Sequence, residues 1–257
     1  METFTKTAKE ILDFIPKGAC ILTGDNGSGK TQILKRIAES EGVPVHCFSD
    51  PSGTAAGESP LRDASFLKAD GRNLPSFLAR IRRAEPKSIL RMEGNIAAVV
   101  PGFGRFSVTE SGDSAALQYV DAAENPHELS DLSSGSLRYA ALTALLMQRP
   151  LPRIILVDEP ETGLGNDALI HVAAMANSAA ALGTTVIMAT HSPFLTDTFG
   201  PEAVIRTERT ETGRTSLKKF SRDDMKRWED GEGFVPMSEL AERGILDCIE
   251  GTTMKLN

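Results

Sequence analysis

A glycine-rich run lies between a short apolar segment and a segment with helical spacing. The apolar segment covers residues 19–22, and residues 32–38 repeat apolar side chains at the period of a helix. The run between them reads Gly24-Asp25-Asn26-Gly27-Ser28-Gly29-Lys30-Thr31. Glycines let successive backbone N–H groups curl around phosphate oxygens at the positive end of a helix. The spacing therefore predicts a strand, a phosphate-binding loop (P-loop) and a helix, in that order.

The last residues of this loop have the chemistry that a nucleoside triphosphate requires. Lys30 is expected to reach the β and γ phosphates, and the Thr31 hydroxyl is expected to bind the Mg²⁺ ion that bridges them. The expected nucleotide-binding set is Gly24, Asp25, Asn26, Gly27, Ser28, Gly29, Lys30, Thr31 and Gln32.

Composition is typical of a globular protein, because 40% of the 257 residues are hydrophobic and supply an ample core. No apolar run approaches the roughly 20 residues of a membrane span, and residues 1–6 lack the layout of a signal peptide. We therefore expect a cytoplasmic protein with no membrane insertion. Cys20, Cys47 and Cys248 form no CxxC pair, which favours buried, reduced thiols over a zinc site or a disulfide.

The net charge of −7 argues against a surface that coats nucleic acid indiscriminately. Any DNA contact has to be local. The best candidate is a basic cluster with only Glu85 opposing it, formed by Arg80, Arg82, Arg83, Lys87 and Arg91. The alternative interpretation is a solvated helix face. Residues 206–227 mix both signs of charge and are interpreted as ordinary surface.

A second apolar run at 43–48 predicts a buried strand, and the residue composition of the chain changes after it. Residues 49–70 are rich in turn residues, 74–92 have helical spacing, and three short apolar runs at 96–100, 103–109 and 115–120 predict strands. We expect one domain, 1–257, in which a core lobe of residues 1–49 and 150–257 carries an inserted lobe of residues 50–149.

A second motif, Leu132-Ser133-Ser134-Gly135-Ser136, precedes a predicted helix. Alone it indicates only an N-cap. About one helix later, four apolar residues lead into Asp158-Glu159, as a buried strand of a parallel sheet would. Such a strand is expected to end at the same edge as the P-loop strand, where Asp158 would hold Mg²⁺ and Glu159 would orient or deprotonate the attacking water.

A further apolar run, 184–190, ends at His191. A single histidine at the end of a strand is usually structural. Because this strand is expected to end at the edge that carries Lys30 and Glu159, we favour a role for His191 as a sensor of the γ-phosphate.

The motifs GDNGSGKT, LSSGS, LVDEPETGL and ATHSP together resemble the ABC-type ATPases of the RecF, SMC and OLD group. The resemblance covers nearly the whole chain, and it looks closest to the small stand-alone AAA ATPases of the RecF-like kind. It implies an α/β P-loop fold, an ABC-type head with a mainly parallel central sheet flanked by helices and an inserted α/β lobe. It also implies Mg²⁺-dependent hydrolysis of ATP, with Lys30, Glu159 and His191 as catalytic residues.

The resemblance further implies a composite site in a head-to-tail homodimer. ATP on one subunit would be closed by Ser133, Ser134 and Gly135 of the other, and residues 161–164 would form the D-loop that crosses the interface. Hydrolysis would then release an ATP-closed conformation. The chain departs from relatives at Gly165-Asn166, where His-Pro is common.

Two contacts common in relatives are not assigned by the sequence. Few residues precede the P-loop, so Phe4 and Phe14 are the candidates for an adenine contact, with a core position as the favoured interpretation of both. Gln118 is the candidate for the glutamine that contacts magnesium.

Three classes of function remain open. The first is an ATP switch in DNA repair or anti-phage defence, working with a separately encoded nuclease or other effector. The second is the nucleotide-binding subunit of an ABC transporter, and the third is a regulatory nucleotide-binding protein with little hydrolysis. The Leu137-Arg138 pair after LSSGS argues against the transporter, and Glu159 argues against the third class.

Overall fold

The computed structural model of the chain describes residues 6–48, 50–210, 212–225, 229–230, 233–247 and 249–256. Residues 1–5, Phe4 included, and Cys248 lie outside this part.

Helices are numbered in chain order. They are α1 (Ala8–Phe14), α2 (Lys30–Glu41), α3 (Pro51–Thr54), α4 (Leu74–Ala84), α5 (Pro86–Ala97), α6 (Ser134–Met147), α7 (Asn166–Ala181), α8 (Pro193–Asp197), α9 (Arg222–Met225) and α10 (Met237–Glu242).

Strands are numbered in the same way. They are β1 (Ala19–Thr23), β2 (Val45–His46), β3 (Glu58–Pro60), β4 (Phe103–Ser111), β5 (Ser114–Asp121), β6 (Pro126–Glu128), β7 (Ile154–Asp158), β8 (Thr185–Ala189), β9 (Val204–Arg209), β10 (Thr215–Lys219), β11 (Glu229–Asp230), β12 (Gly233–Phe234) and β13 (Thr252–Lys255).

The chain divides into two compact units. The first unit comprises Met1–Val45, Ile154–Glu161 and Ala180–Asn257, and the second comprises His46–Arg153 and Thr162–Ala179. The second unit thus takes in most of α7 in addition to the segment that the sequence assigned to an inserted lobe.

A seven-stranded sheet forms the centre of the first unit, in the order β13-β10-β9-β1-β8-β7-β2. Strand β1 pairs in parallel with both β8 and β9, and β7 pairs in parallel with β8. Strand β10 runs antiparallel to β9 and β13. Because β1, β7 and β8 run in the same direction, their carboxyl ends meet at one edge of the sheet.

The core of the first unit follows from the apolar runs in these strands. Four residues of β1 and four of β7 are buried, as expected for strands of a parallel sheet covered on both faces. Ile11 of α1 and three residues of α2, Ile33, Leu34 and Ile37, pack in the same hydrophobic cluster as Leu22 and other strand residues. Helix α1 begins with a capping box in which the Thr7 side chain and Glu10 satisfy each other's backbone donors.

A smaller antiparallel sheet forms part of the second unit, in the order β3-β5-β4, with β6 on β5. Helices α4 and α5 pack against this sheet, and α6 packs against α5. Ten consecutive residues of α6, 137–146, are buried, so this helix is covered on all sides. The expected α/β class, with a mainly parallel central sheet and flanking helices, is confirmed.

Three predictions of secondary structure were wrong or too long. The helix expected over 74–92 is two helices, because Glu85 precedes Pro86 and leaves the helical region at φ −151° and ψ 80°. The strand expected over 96–100 is the end of α5 and a turn, in which the Val100 N–H donates to the Ile96 carbonyl. Of the strand expected over 43–48, only β2 forms.

Among the described residues, no helix has both the length and the apolar character that crossing a bilayer demands.

Candidate active site

The P-loop follows β1 directly and adopts a backbone that only glycine accepts without strain. Gly24 has φ +137°, and a side chain there would place its Cβ 2.1 Å from the carbonyl oxygen of Thr207. Gly29, with φ +106°, is the N-cap of α2, and its Cβ would lie 2.7 Å from Thr215 Oγ1. The two glycines therefore let β9 and β10 approach the loop closely.

Hydroxyl groups of β9 and β10 hold the loop from behind. Ser28 Oγ and Thr207 Oγ1 lie 2.6 Å apart, and Thr207 Oγ1 donates to the carbonyl of Thr23 at 2.9 Å. Thr215 Oγ1 donates to the carbonyl of Ser28 at 3.2 Å, and Arg209 Nε donates to that of Gly27 at 2.8 Å. The Ser28 side chain is thus turned into the protein, and only its backbone remains for a ligand.

These contacts correct the interpretation of residues 206–227 as ordinary surface. Thr207 and Thr215 are each 1% exposed, and Lys218 is buried with its Nζ bonded to the carbonyl of Leu246. The available signal was the run Val204-Ile205-Arg206-Thr207, whose β-branched residues favour a strand. The mixed charges of this stretch masked that signal.

The Lys30 side chain extends back over the P-loop. Its Nζ donates to the carbonyls of Gly24 at 2.7 Å and Asp25 at 3.1 Å. Burial lowers the pKa of Lys30, while the negative charges of nearby carboxylates oppose that effect. These carboxylates are Asp158, Asp25, Glu159 and Glu161. The ammonium group is therefore held among acceptors and negative charge at the start of α2.

Strand β7 and the residue after it bring two carboxylates to this edge. Asp158 Oδ2 accepts a hydrogen bond of 2.8 Å from Thr31 Oγ1. Glu159 is exposed and has a left-handed backbone with φ +49°, and its N–H donates to the carbonyl of Ala189 at 2.8 Å. A positive φ is uncommon for a residue other than glycine.

His191 lies just beyond the end of β8. Its Nδ1 is 3.4 Å from Lys30 Nζ, and its backbone N–H donates to Oε1 of Glu161 at 2.7 Å. The first unit therefore brings together Lys30, Thr31, Asp158, Glu159 and His191, as the order of parallel strands predicted.

A cavity of about 400 Å³ opens beside the first residues of the loop. Its walls include Gly24, Asp25 and His191 on one side and Met237, Ala241 and Leu246 of the later chain on another. Helix α10 is tied to α8 by the Ser238 N–H, which donates to Asp197 Oδ1 at 3.0 Å. Helix α8, which begins two residues after His191, also lines the cavity through Pro193 and Thr196.

Ser133, Ser134 and Gly135 belong to the second unit. Ser133 is the N-cap of α6, and its Oγ accepts the N–H of Ser136 at 3.1 Å. A side chain at Gly135 would place its Cβ 2.3 Å from the carbonyl of Gly163, in the expected D-loop. Both Ser133 and Ser134 are exposed, so their hydroxyl groups are accessible in the single chain.

The basic cluster is more neutralised than the sequence indicated. Arg83 forms an ion pair with Glu110, a residue distant in sequence, and Arg91 pairs with Glu85. Arg80 donates to the carbonyl of Ala64 and lies 5.1 Å from the centre of the Phe77 ring. Arg82 and Lys87 are exposed.

The remaining residues singled out in the sequence, Phe14, Gln118 and two of the cysteines, lie in the following places. Phe14 packs against the core of the first unit, with Lys219 Nζ 4.6 Å from its ring centre. Gln118 lies on β5 and donates to Glu128 at 2.6 Å. Burial raises the pKa of the Cys20 thiol to about 12, which makes it unreactive, and Cys20 and Cys47 form no disulfide with each other.

Residues 72–197 match a family model described as "AAA domain, putative AbiEii toxin, Type IV TA system". A protein of Streptomyces coelicolor named "Putative ABC transporter ATP-binding protein SCO5958" is 30% identical over 216 residues, which are 81% of this chain and 72% of that protein. The chain belongs to the ABC-type ATPases.

Two further similarities were found, one to a curated protein and one, in fold alone, to a solved structure. The "Cytochrome c biogenesis ATP-binding export protein CcmA" of Roseobacter denitrificans is 30% identical to this ABC-type ATPase over 185 residues, 70% of this chain and 73% of that protein. A solved Smc head, bound to the C-winged helix domain of ScpA, superposes with a TM-score of 0.60 at 13% identity, over 83% of this chain and 93% of that one. Membership confirms the predictions of ATP binding and ATP hydrolysis.

Proposed function

We propose that this ABC-type ATPase is a switch that closes as a head-to-tail homodimer on ATP and reopens after hydrolysis. The observation that carries the proposal is the convergence of Lys30, Thr31, Asp158 and His191 at one edge of a parallel sheet. Lys30 Nζ lies 3.4 Å from His191 Nδ1, and Thr31 Oγ1 lies 2.8 Å from Asp158 Oδ2. These are the groups that phosphate and its bridging cation require.

In this proposal Glu159 has a role different from that of the Mg²⁺ ligand Asp158, and His191 and Lys30 act on the phosphates. Glu159 orients the attacking water and takes its proton, while His191 contacts the γ-phosphate and Lys30 neutralises the phosphate oxygens. The different surroundings of the two carboxylates support the separation, since Asp158 accepts a hydrogen bond from Thr31 whereas Glu159 is exposed and has a left-handed backbone.

Magnesium fits the oxygen pair formed by Thr31 and Asp158. Both are hard ligands, and Mg²⁺ is usually held by one or two protein oxygens together with waters and substrate phosphates. Among the described residues, no three histidine, cysteine or carboxylate side chains gather into a metal site of their own. The ion would neutralise charge on the phosphates.

The second copy would contribute Ser133, Ser134 and Gly135 to the site. Exposure of Ser133 and Ser134 supports this role, because a partner's phosphate can reach them. The D-loop, residues 161–164, would cross the interface, and the approach of Gly135 to the Gly163 carbonyl supports coupling between the two segments.

We infer that the switch acts in anti-phage defence or DNA repair, together with a separately encoded effector such as a nuclease. The description of the matching family model, which names a toxin of a toxin–antitoxin system, supports a defence role. Within the basic cluster, Arg82, Arg83, Lys87 and Arg91 are exposed, and Arg83 and Arg91 pair with Glu110 and Glu85. DNA would therefore bind chiefly through Arg82 and Lys87.

A second candidate is the nucleotide-binding subunit of a transporter. The names of the curated relatives support it, since one refers to an ABC transporter and another to an export protein. Such a subunit would require a membrane partner that docks on the second unit.

The dimer is tested by Glu159→Gln, which keeps the shape of the side chain but cannot take a proton. With saturating ATP and Mg²⁺, light scattering is expected to give twice the monomer mass. The matched control is Glu159→Gln combined with Lys30→Ala, which is expected to remain monomeric. A monomeric Glu159→Gln protein at saturating ATP contradicts the switch.

Two experiments distinguish a role in defence or DNA repair from a role in transport. The first is an ATPase assay with duplex DNA, single-stranded DNA and lipid vesicles, and the second is capture of partners on the Glu159→Gln protein with ATP. Stimulation by DNA that disappears in Arg82→Glu/Lys87→Glu supports the first candidate. Capture of a membrane protein, with no response to DNA, supports the second.

A further inference from the structure

Glu161 connects the turn after β7 to the turn after β8. Its Oε1 accepts the backbone N–H of His191 at 2.7 Å. Two residues earlier, the Glu159 N–H donates to the Ala189 carbonyl at 2.8 Å. These two hydrogen bonds run in opposite directions between the residues that follow β7 and the end of β8 with the turn after it. The segments that carry Glu159 and His191 are therefore held together. We infer that Glu161 is a positioning residue for His191.

The His191 turn needs such a contact because the regular pairing of β8 has ended there. The preceding residue still bonds to the sheet, since the Thr190 N–H donates to the Leu22 carbonyl at 3.0 Å. The following residue, Ser192, already caps α8 through its side chain. His191 itself is exposed, and its N–H is bonded to the Glu161 side chain. The carboxylate therefore replaces the missing strand partner.

Electrostatics links the same carboxylate to Lys30. Glu161 is one of the four carboxylates whose charges act on the Lys30 ammonium. Its other oxygen, Oε2, is buried and accepts no hydrogen bond from the described residues. A buried carboxylate oxygen without a donor is unfavourable unless positive charge lies near. Lys30 contributes positive charge to these surroundings, because Glu161 is among the carboxylates that interact with its ammonium group.

This position differs from the one that the family resemblance implies for Glu161, at the start of a loop that crosses to a second subunit. In the single chain its carboxylate is directed to the backbone of the first unit. The inference rests on the proposed role of His191 at the γ-phosphate, since Glu161 acts through that residue and does not touch the reacting atoms.

The first measurement compares Glu161→Ala with Glu161→Gln in steady-state ATP hydrolysis. Alanine removes the acceptor, so kcat is expected to fall tenfold or more, with KM for ATP within about twofold of the wild-type value. Glutamine retains an oxygen that accepts the His191 N–H and is expected to restore kcat to within about threefold. Glu39→Ala, at an exposed position on α2, is the surface control.

The second measurement is a double-mutant cycle with His191→Ala. If Glu161 acts through His191, then Glu161→Ala in the His191→Ala background is expected to cause no further loss of kcat. Multiplying losses in the double variant would mean that the two residues act independently, and that result overturns the inference. Equal losses in the glutamine and alanine variants would also overturn it, because the charge and not the hydrogen bond would then matter.

Two outcomes separate this inference from the proposed function. If His191→Ala hydrolyses ATP at the wild-type rate, the role of His191 fails and the inference fails with it. If His191→Ala is impaired while Glu161→Ala is not, only the inference fails. Should Glu161→Ala not fold, Glu161→Asp takes its place, since the shorter carboxylate cannot reach the His191 N–H. Wild-type kcat in that variant overturns the inference.

Discussion

Thr31 donates its hydroxyl hydrogen to Asp158 Oδ2 at 2.8 Å, and this bond joins the end of the P-loop to the end of β7. The two residues are 127 positions apart in the chain. Both oxygens are of the kind that Mg²⁺ binds. Because they lie 2.8 Å apart, one ion could contact both of them.

We expect Thr31→Val to raise the Mg²⁺ concentration that gives half-maximal ATPase activity by tenfold or more, because it removes one of the two oxygens. Since the bond is exposed, the free energy of unfolding in EDTA is expected to change by less than about 1 kcal/mol. Thr31→Ser retains the hydroxyl and is the matched control. An unchanged Mg²⁺ titration for Thr31→Val would contradict the assignment.

The P-loop glycines are expected to differ in their tolerance of a side chain. Gly24→Ala would drive its Cβ into the Thr207 carbonyl, whereas nothing lies within 4 Å of a Cβ at Gly27. Gly24→Ala should therefore abolish ATP binding and destabilise the fold by several kcal/mol, roughly in line with other severe core changes. Gly27→Ala should cost only about 1–2 kcal/mol, from its positive φ. Urea unfolding and binding of a fluorescent ATP analogue measure both effects.

Ser133 has a cap role in the single chain and a proposed role at the dimer interface, and two substitutions separate them. Ser133→Ala removes the side-chain acceptor for the Ser136 N–H and is expected to cost about 1 kcal/mol of stability. Ser133→Asn retains a capping side chain and should leave stability nearly unchanged. Both are expected to lower ATPase activity at least tenfold. Full activity in Ser133→Asn would mean that Ser133 is only a cap.

His46 gives the second unit a dependence on pH. It is 4% exposed, and burial lowers its pKa from 6.5 to about 4. The unfolded chain therefore takes up a proton before the folded one does, and this contribution to stability is complete above pH 6.5 and is lost as the pH falls towards 4. The difference amounts to about 3 kcal/mol at most.

The measurement is the free energy of unfolding of the wild type and of His46→Leu between pH 7 and pH 5. The wild type should lose stability more steeply than the variant, because leucine has no proton to bind. Parallel curves would show that His46 does not remain neutral in the folded state.

The positions of the candidate phosphate-binding groups were predictable because each is encoded in a short contiguous run. The P-loop lies between one strand and one helix, and Asp158 and His191 each follow an apolar run that only a buried strand explains. Parallel pairing then requires their carboxyl ends to lie at one edge. The helix that precedes Pro86 was predicted too long because its apolar spacing continues through the break, although the residue before a proline disfavours the helical region.

The supports of the site were not predictable in this way. Thr207 is hydrogen-bonded to Ser28 across 179 positions, and neither residue signals the other in the sequence. Likewise, Glu110 on β4 neutralises Arg83 on α4, which a count of neighbouring charges misses. Such contacts depend on the register of β9, β10 and β4, which local propensity does not determine.

The attachment of the P-loop to β9 and β10 has a consequence for synthesis of the protein. Residues 24–31 leave the ribosome long before Thr207 and Thr215, the residues that fix the shape of the loop, have been translated. A nascent chain that has β1, β7 and β8 but lacks β9 and β10 therefore has the binding motif without its supports. We therefore expect the loop to gain all of these supports only after residue 215 has emerged.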